Sequence, residues 1–271
     1  MIYKAEEDIT KQKSSKKKAI VRSLVIIFSA AFLFSGYMLF RTLAEYKEGR
    51  DEYDSLLDFS VSTQSAGKDV SVLDETETDF LAPDYDSLSN INGDYIGWLQ
   101  VLGTSINYPM IFPPDNDSYL RKTFRGTYGY AGSIFLDHRT GSDYDADHII
   151  IYGHRMNDGT MFSDVRKFLD ANFYEEHKTF RIYTKHEILT YEIFAARQVL
   201  VTDSCFTFSF SNTEEYSAWL ASMSAAGNYT TSLTPDAHMP TITLSTCVYN
   251  KEESRNIIQA QLVERQPIIS G

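Results

Sequence analysis

The chain has 271 residues, of which 43% are hydrophobic and 14% aromatic, and a net charge of −12 at pH 7. This composition is sufficient for a packed core in one or two domains. The first 41 residues carry eight basic and three acidic side chains, a net charge of +5, which leaves −17 for the rest. An acidic body lacks the basic footprint that nucleic-acid binding requires, so no nucleic-acid partner is expected.

The first predicted element is a transmembrane helix at residues 23–40, SLVIIFSAAFLFSGYMLF, a run without charge. As a helix these residues span about 27 Å, close to the roughly 30 Å of a hydrocarbon core. The basic run KQKSSKKK before it predicts a cytoplasmic tail at 1–22, an extracellular body and lipid around the helix. The alternative, a cleaved signal peptide, also places the body outside the cytoplasm.

Residues 41–82 are predicted to form a helical stalk and a linker. The stretch 41–59 has a helical composition, whereas 60–80 is polar and acidic without clear periodicity. The folded domain is predicted at 83–271, with a short helix at 85–92.

Eight strand-like runs follow, and the chain is therefore predicted to be mainly β. Few helices interrupt them, which favours a closed or nearly closed barrel with peripheral helices. One helix is expected at 163–173 and another at 212–227, with Ser211 and Glu214 as a capping box and Gly227 at the end. A hairpin connection is expected at 184–187. The strand-like runs are 97–101, 105–111, 132–138, 148–154, 179–185, 188–201, 241–247 and 256–264.

The chain has two cysteines, Cys205 and Cys247, and an extracellular cysteine is usually a disulfide partner, a buried thiol or a nucleophile. Cys247 ends the strand-like run TITLSTC among small hydroxyl residues. Among six histidines, His154 stands out because a buried run, IIIY, and Gly153 deliver it to the rim of a sheet. The alternative for any one histidine is an ordinary surface residue.

Arg255 lies eight residues after Cys247, at the start of the last strand-like run. If the segments on either side of VYNKEE pair as strands, Arg255 returns to the end of the sheet that carries Cys247. A guanidinium there could stabilise an oxyanion, although a solvated edge charge is the alternative. No CxxC or HxxxH spacing occurs, so neither a zinc site nor a cofactor is expected.

Taken together, these segments resemble a sortase, and within that family class B. The resemblance rests on a Leu-Ser-Thr-Cys sequence at 244–247 with Tyr-Gly-His at 152–154 upstream of it, behind an apolar N-terminal run. It covers about two-thirds of the chain. The matching segments are GWLQVLGTSINYPM, DNDSYL (115–120), GSIFLDHR (132–139), IIIYGHRMNDGTMF (149–162) and TLSTCVY followed by Arg255.

The resemblance implies an eight-stranded sortase barrel in which Cys247 is the nucleophile, His154 the acid and base, and Arg255 the group that stabilises the oxyanion. The segment 204–210 lies where such enzymes recognise the first residues of their substrate, and the helix at 212–227 matches the inserted helix of class B. The residues that would line the groove for the sorting signal are Asn116, Leu120, Tyr152, Phe206, Ser245 and Thr246.

The implied reaction is transpeptidation on the cell surface. A secreted protein with a C-terminal sorting motif would be cleaved after Thr, held as a thioester and joined to an amine of a peptidoglycan precursor. Polymerisation of pilins is the alternative within the family. Two further alternatives are an L,D-transpeptidase, whose Ser-x-Gly-Cys-x-Arg cluster this chain lacks, and a non-enzymatic membrane-tethered domain with a Cys205–Cys247 disulfide.

Overall fold

The computed structural model describes residues 2–59, 83–142, 144–248 and 250–268. The predicted linker at 60–82 lies outside these residues. Compact packing divides the chain into residues 1–47 and residues 48–271. The last turns of the N-terminal helix therefore belong to the second unit, whereas the sequence assigns them to a stalk.

The first unit lies within one continuous helix, α1 (Ile2–Leu56). Its apolar part is, among the described residues, the one helix long and apolar enough to cross a membrane, with a mean hydropathy of 2.1. Large apolar side chains from Val21 to Phe40 are exposed, for example Phe32 at 78%. The predicted membrane helix thus lies inside α1 as a candidate membrane span, in a helix longer than the sequence indicated.

The second unit is built on a closed eight-stranded β-barrel, which confirms the predicted fold. Around the barrel the strands follow the order β1, β2, β3, β4, β7, β8, β6 and β5, and β5 closes onto β1. The pairs β2–β3 and β4–β7 are parallel and the others antiparallel. The strands are β1 (Tyr95–Gln100), β2 (Asn107–Ile111), β3 (Ile134–Leu136), β4 (His148–Tyr152), β5 (Thr179–Tyr183), β6 (Glu187–Leu200), β7 (Thr241–Val248) and β8 (Lys251–Pro267).

The strand-forming runs are rich in β-branched and aromatic residues, and their side chains fill the barrel. Leu99, Ile151 and Leu244 from three different strands are fully buried. The predicted hairpin at 184–187 joins β5 to β6, where the Thr184 N–H donates to the Glu187 carbonyl at 2.9 Å.

The predicted helix at 163–173 is wrong as a single element. A 3₁₀ helix occupies Phe162–Leu169, and a separate helix, α3 (Ala171–Glu176), follows it. Asp170 separates them because its backbone is extended and its side chain accepts a hydrogen bond from the Asn172 N–H, as an N-cap does. The short helix predicted at 85–92 is α2 (Tyr85–Ile91).

The helix predicted at 212–227 is α4 (Thr213–Ala225), but its cap lies one residue later than expected. Asn212, not Ser211, is the N-cap, and its side-chain oxygen accepts from the Glu215 N–H at 2.9 Å. The Glu215 carboxylate in turn accepts from the Ser211 N–H at 2.7 Å. The cap is therefore Asn212, since an asparagine caps as well as a serine, and Glu215 reaches back to the residue that precedes the cap.

Candidate active site

The parallel pairing of β4 with β7 brings His154 and Cys247 to the same end of the barrel. Tyr152 pairs with Ser245, and the Gly153 N–H donates to the Ser245 carbonyl at 3.2 Å. His154 and Cys247 each lie two residues beyond that pair. Since neighbouring strands are about 4.8 Å apart, the two residues lie side by side at this end of the barrel.

Gly153 is required where β4 ends because the chain passes close to two apolar side chains. A Cβ at this position would lie 2.5 Å from Ile134 Cδ1 and 2.6 Å from Phe162 Cγ. The next residue is held as well, since its carbonyl accepts from the Phe162 N–H at 2.9 Å. The backbone of His154 is therefore fixed on both sides.

Arg255 joins this end of the barrel through the antiparallel pairing of β7 with β8. It is the direct partner of Cys247, so the two side chains project from the same face of the sheet. The connection is short because Val248 pairs with Lys251, and the register shifts between Cys247 and Val248. One guanidinium nitrogen donates to the Ser254 carbonyl at 2.9 Å, which orients the half-buried side chain.

These three residues open onto one groove of about 400 Å³. All nine residues that the sequence singled out as site residues line it, so the structure brings the whole predicted set together. The groove is lined by Asn116, Leu120, Phe135, Arg139, Tyr152, Gly153, His154, Val201, Phe206, Ser245, Thr246, Cys247 and Arg255. The roles of these residues in catalysis and substrate binding stay predictions.

The imidazole of His154 is oriented by a backbone carbonyl. Its Nε2–H donates to the Leu120 carbonyl oxygen at 2.6 Å, which leaves Nδ1 as the unprotonated nitrogen of the neutral ring. Burial lowers the pKa of His154, the hydrogen bond to Leu120 opposes that effect, and the charge of Arg121 adds to it. A neutral imidazole with one defined basic nitrogen suits proton transfer near neutral pH.

The two cysteines are both free thiols, so the alternative of a Cys205–Cys247 disulfide is wrong. Cys247 is exposed at the groove. Cys205 is fully buried, and desolvation raises its pKa, which keeps it a protonated and unreactive thiol. Only Cys247 is therefore placed to react.

A buried carboxylate, Asp137, orients the polar wall of the groove. It accepts hydrogen bonds from the guanidinium of Arg139 at 2.5 and 2.9 Å, from Asn116 Nδ2 at 3.0 Å and from the Tyr152 hydroxyl at 3.0 Å. Burial raises the pKa of Asp137, but the hydrogen bonds from Arg139 and Asn116 outweigh it and bring the value to about 2. The carboxylate therefore stays charged and fixes three groove side chains at once.

The apolar wall is carried by the segment after β6, which includes a 3₁₀ helix at Ser204–Phe206. Asp203 caps this helix by accepting from the Cys205 N–H at 2.8 Å, and it forms a bidentate ion pair with Arg197. Phe206 packs against the apolar cluster that holds α4 on the barrel. The segment is thus a fixed part of the groove.

His148, on β4, holds this segment by a hydrogen bond to its backbone. Its Nδ1–H donates to the Thr207 carbonyl at 2.6 Å, so its Nε2 accepts from the Thr243 hydroxyl at 2.8 Å. The ring also packs on Trp219 of α4, with centroids 4.7 Å apart. Because the residue is fully buried, desolvation lowers its pKa to about 4.

We expect His148 to make stability fall as the pH is lowered. The lowered pKa means that the folded state favours the neutral ring, so its contribution is complete above about pH 6.5 and is lost between about 6.5 and about 4. The loss at pH 4 is roughly 3 kcal/mol. Urea unfolding of wild-type protein and His148→Asn across this range would measure it, and the variant should have the flatter profile. An equal slope in both proteins would contradict the prediction, and His186→Asn, which removes an exposed histidine and leaves His148 in place, is the control.

Sequence reasoning missed Phe135, Arg139 and Val201 in the groove wall, and Asp137 beneath it. Phe135, Asp137 and Arg139 alternate along the segment GSIFLDHR, so period-two spacing could have placed them on one face. Val201 follows the end of β6 and carried no comparable signal. The hydroxyl oxygens of Ser245 and Thr246 are buried and have no hydrogen-bond partner among the described residues.

Comparisons with known proteins agree with this architecture. A model of the sortase domain matches residues 99–263. The sortase B of Listeria monocytogenes is 32% identical over 92% of this chain and 99% of that protein. Among solved structures, sortase B of Clostridium perfringens (31% identity, TM-score 0.63) covers 66% of this chain and 99% of its own. A sortase B–substrate complex of Staphylococcus aureus (27% identity, TM-score 0.69) covers 82% of this chain and 99% of its own. With a domain model matched over more than half its length and a relative of this similarity aligned almost end to end, the chain belongs to the sortase family, in its class B.

Proposed function

We propose that the protein is a membrane-anchored cysteine transpeptidase that cleaves a C-terminal sorting signal after Thr and joins the protein to an amine of a peptidoglycan precursor. The observation that carries the proposal is the convergence of Cys247, His154 and Arg255 on one groove. A nucleophile, an acid and base, and an oxyanion donor are the groups that acyl transfer needs.

In the first half of the reaction, Nδ1 of neutral His154 takes the thiol proton of Cys247, and the resulting thiolate attacks the carbonyl carbon of the substrate Thr. The carbonyl oxygen becomes negative, and we assign its stabilisation to the guanidinium of Arg255, a role supported by the pairing of Arg255 with Cys247 across the sheet. The C–N bond to the next residue then breaks, and His154 gives its proton to the departing amine. A thioester between Cys247 and the substrate remains.

In the second half, the amine of the acceptor attacks the thioester. Neutral His154 takes a proton from that amine, the C–S bond breaks, and the sulfur leaves as a thiolate. The hydrogen bond from Nε2 to the Leu120 carbonyl leaves Nδ1 as the nitrogen that exchanges protons. The free enzyme is regenerated with the new amide bond formed.

The groove favours a peptide that presents polar groups to one wall and apolar groups to the other. Its polar wall carries Asn116 and Tyr152 as hydrogen-bonding groups, and its apolar wall carries Leu120 and Phe206. The carboxylate of Asp137 fixes Asn116 and Tyr152 before substrate arrives, which reduces the ordering that binding requires. The acidic body of the protein also favours approach of the basic tail that ends a typical sorting signal.

The topology that we propose has the basic residues 1–22 in the cytoplasm and the barrel outside. The candidate span in α1 and the excess of Lys and Arg before it support this orientation. Membrane anchorage makes lipid-linked precursors and newly exported proteins available to the enzyme.

The test is a panel of fluorogenic peptides with the full chain in detergent: Asn-Pro-x-Thr-Asn, Asn-Pro-x-Thr-Gly, Ser- or Pro-Pro-x-Thr-Gly and Leu-Pro-x-Thr-Gly. At least one should be cleaved after Thr, and intact mass should show a covalent adduct. Each peptide with its residues in reversed order is the matched control. A folded protein that cleaves none of them and forms no adduct would contradict the proposal.

A further inference from the structure

The last turns of α1 contact the loop that orients His154. Tyr53 is 5% exposed, and its hydroxyl donates to the Gly132 carbonyl at 2.5 Å. The same hydroxyl lies 3.4 Å from Ser133 Oγ, which donates to the Lys122 carbonyl at 2.8 Å. Burial raises the pKa of Tyr53, so the phenol keeps the proton that it donates. Tyr53 thus bonds one end of the 119–133 loop directly and is linked to the other end, at Lys122, through Ser133.

Gly132, the acceptor of that hydrogen bond, lies against both partners of the Leu120–His154 hydrogen bond. Its φ of +57° suits glycine, and a Cβ there would be 2.6 Å from the Leu120 oxygen and 3.0 Å from His154 Cδ2. A shift of Gly132 by a fraction of an ångström would therefore displace the carbonyl that orients the imidazole.

The ring of Tyr53 is also linked, through Tyr108, to the segment that follows His154. It packs edge-on against Tyr108, with ring centroids 5.3 Å apart at 88°. The hydroxyl of Tyr108 accepts from the Met161 N–H at 2.9 Å, and Met161 forms a β-bridge with Arg155. One side chain of α1 therefore contacts the supports of His154 on both sides.

Two neighbours of Tyr53 fasten the same loop. The Glu52 carboxylate accepts from the Arg125 N–H at 2.9 Å. A Cβ on Gly49 would touch the Ala131 methyl at 3.4 Å, which shows how closely the helix and the loop approach. Both contacts are made with the loop that carries the Leu120 carbonyl, so this end of α1 holds the loop by more than the hydrogen bond of Tyr53.

We propose that Tyr53 is a positioning residue for His154, acting through Gly132 and the Leu120 carbonyl to fix the tautomer and direction of the imidazole. The inference rests on the proposed role of His154 as acid and base. A base must be held in reach of the proton that it transfers, and small displacements originating far from the reacting atoms can be costly. The helix that leads to the candidate membrane span thereby becomes part of the support of the active site.

The experiment uses the full chain in detergent with labelled histidine. Tyr53→Phe removes one hydroxyl and keeps the ring against Tyr108. In the wild type, imidazole ¹⁵N shifts should report His154 as the Nε2–H tautomer, and in the variant they should move toward a mixture of the two tautomers. The value of kcat should fall about 3- to 10-fold, the effect of one hydrogen bond, with KM within about twofold.

Tyr183→Phe is the matched control. Tyr183 is a buried tyrosine, 4% exposed, whose hydroxyl donates to Gln100 at 3.0 Å on the β1–β5 side of the barrel. It should cost similar stability and leave the His154 tautomer and kcat unchanged. Glu52→Ala, which removes the second tether, carries the test if Tyr53→Phe does not fold, and it should shift the tautomer in the same direction.

An unchanged His154 signal in Tyr53→Phe, or equal changes in Tyr53→Phe and Tyr183→Phe, would overturn the inference. The spectroscopic readout needs no turnover. If the wild-type protein cleaves no sorting peptide, the proposed function fails, and the ¹⁵N shifts still decide whether Tyr53 orients His154.

Discussion

Replacing Cys247 with alanine is expected to lower peptide turnover by about 10⁴-fold or more, because no other thiol can form the thioester. The sulfur is exposed at the groove and lies across the sheet from Arg255. The fold should be unaffected, since the side chain ends a strand at the surface. Fluorogenic turnover together with intact-mass detection of the acyl adduct would measure the loss, and the adduct should be absent in the variant.

Cys205→Ala provides the internal control for this experiment. Its thiol is fully buried and its pKa is raised, so it should neither react nor support turnover. We expect that variant to retain kcat within about twofold. In native protein, a thiol reagent should modify one cysteine, and none when Cys247 is replaced. Turnover that survives in Cys247→Ala, or fast labelling of Cys205, would refute the assignment of the nucleophile.

The strands were predictable because their signal is local. Runs such as IIIY and TITLSTC combine β-branched residues with clear ends, and all eight predicted runs overlap strands of the barrel. The order of the strands was not available from that signal. The parallel pairing of β4 with β7, which joins His148 to Thr241 and so aligns His154 with Cys247, connects distant segments. The resemblance to sortases implied only that His154 and Cys247 act together, and not this pairing.

The parts of the site that escaped prediction depend on contacts without a local pattern. Asp137 is a buried carboxylate whose role follows only from the three groups that it binds, one of them Asn116, 21 residues away. Tyr53 meets Gly132 across 79 residues. The sequence around Tyr53 is acidic and helical and indicates a stalk, whereas Tyr53 and Leu56, 5% and 0% exposed, pack against the barrel unit. Two apolar side chains in an acidic helical sequence do not distinguish a free stalk from a helix end that packs against a barrel.

The segment 204–210 illustrates the same difference at the substrate groove. Its sequence, SCFTFSF, alternates Phe with Thr and Ser from 206 to 210, a pattern typical of a strand that carries no information about a substrate, so only the resemblance indicated that it faces the substrate. The structure fixes it by buried polar bonds, from His148 to the Thr207 carbonyl and from Trp219 to the Ser204 carbonyl at 2.8 Å. Such bonds are specified by residues on other elements and not by the segment itself.

Replacing Arg255 with lysine is expected to lower kcat/KM by roughly 100-fold, the usual cost of losing one oxyanion donor. Lysine keeps the charge but loses the planar fork, which here also donates to the Ser254 carbonyl at 2.9 Å and so directs the remaining donors. Because the lost interaction forms in the transition state, kcat should fall and KM should change little. Steady-state kinetics with a cleaved sorting peptide would measure both constants.

Arg265→Lys is the matched control for this prediction, since it lies on the same strand, β8, at the end away from Cys247. Its guanidinium forms ion pairs with Glu187 and Asp145 at the surface, where such pairs contribute at most about 1 kcal/mol. Activity should therefore stay within about twofold. Comparable losses of activity in the two variants would contradict the prediction, because any loss of a guanidinium from β8 would then lower activity. Full activity in Arg255→Lys would also contradict it, because a positive charge alone would then stabilise the oxyanion. A selective loss at Arg255 requires directed donors beside the sulfur, which is what the pairing of Cys247 with Arg255 provides.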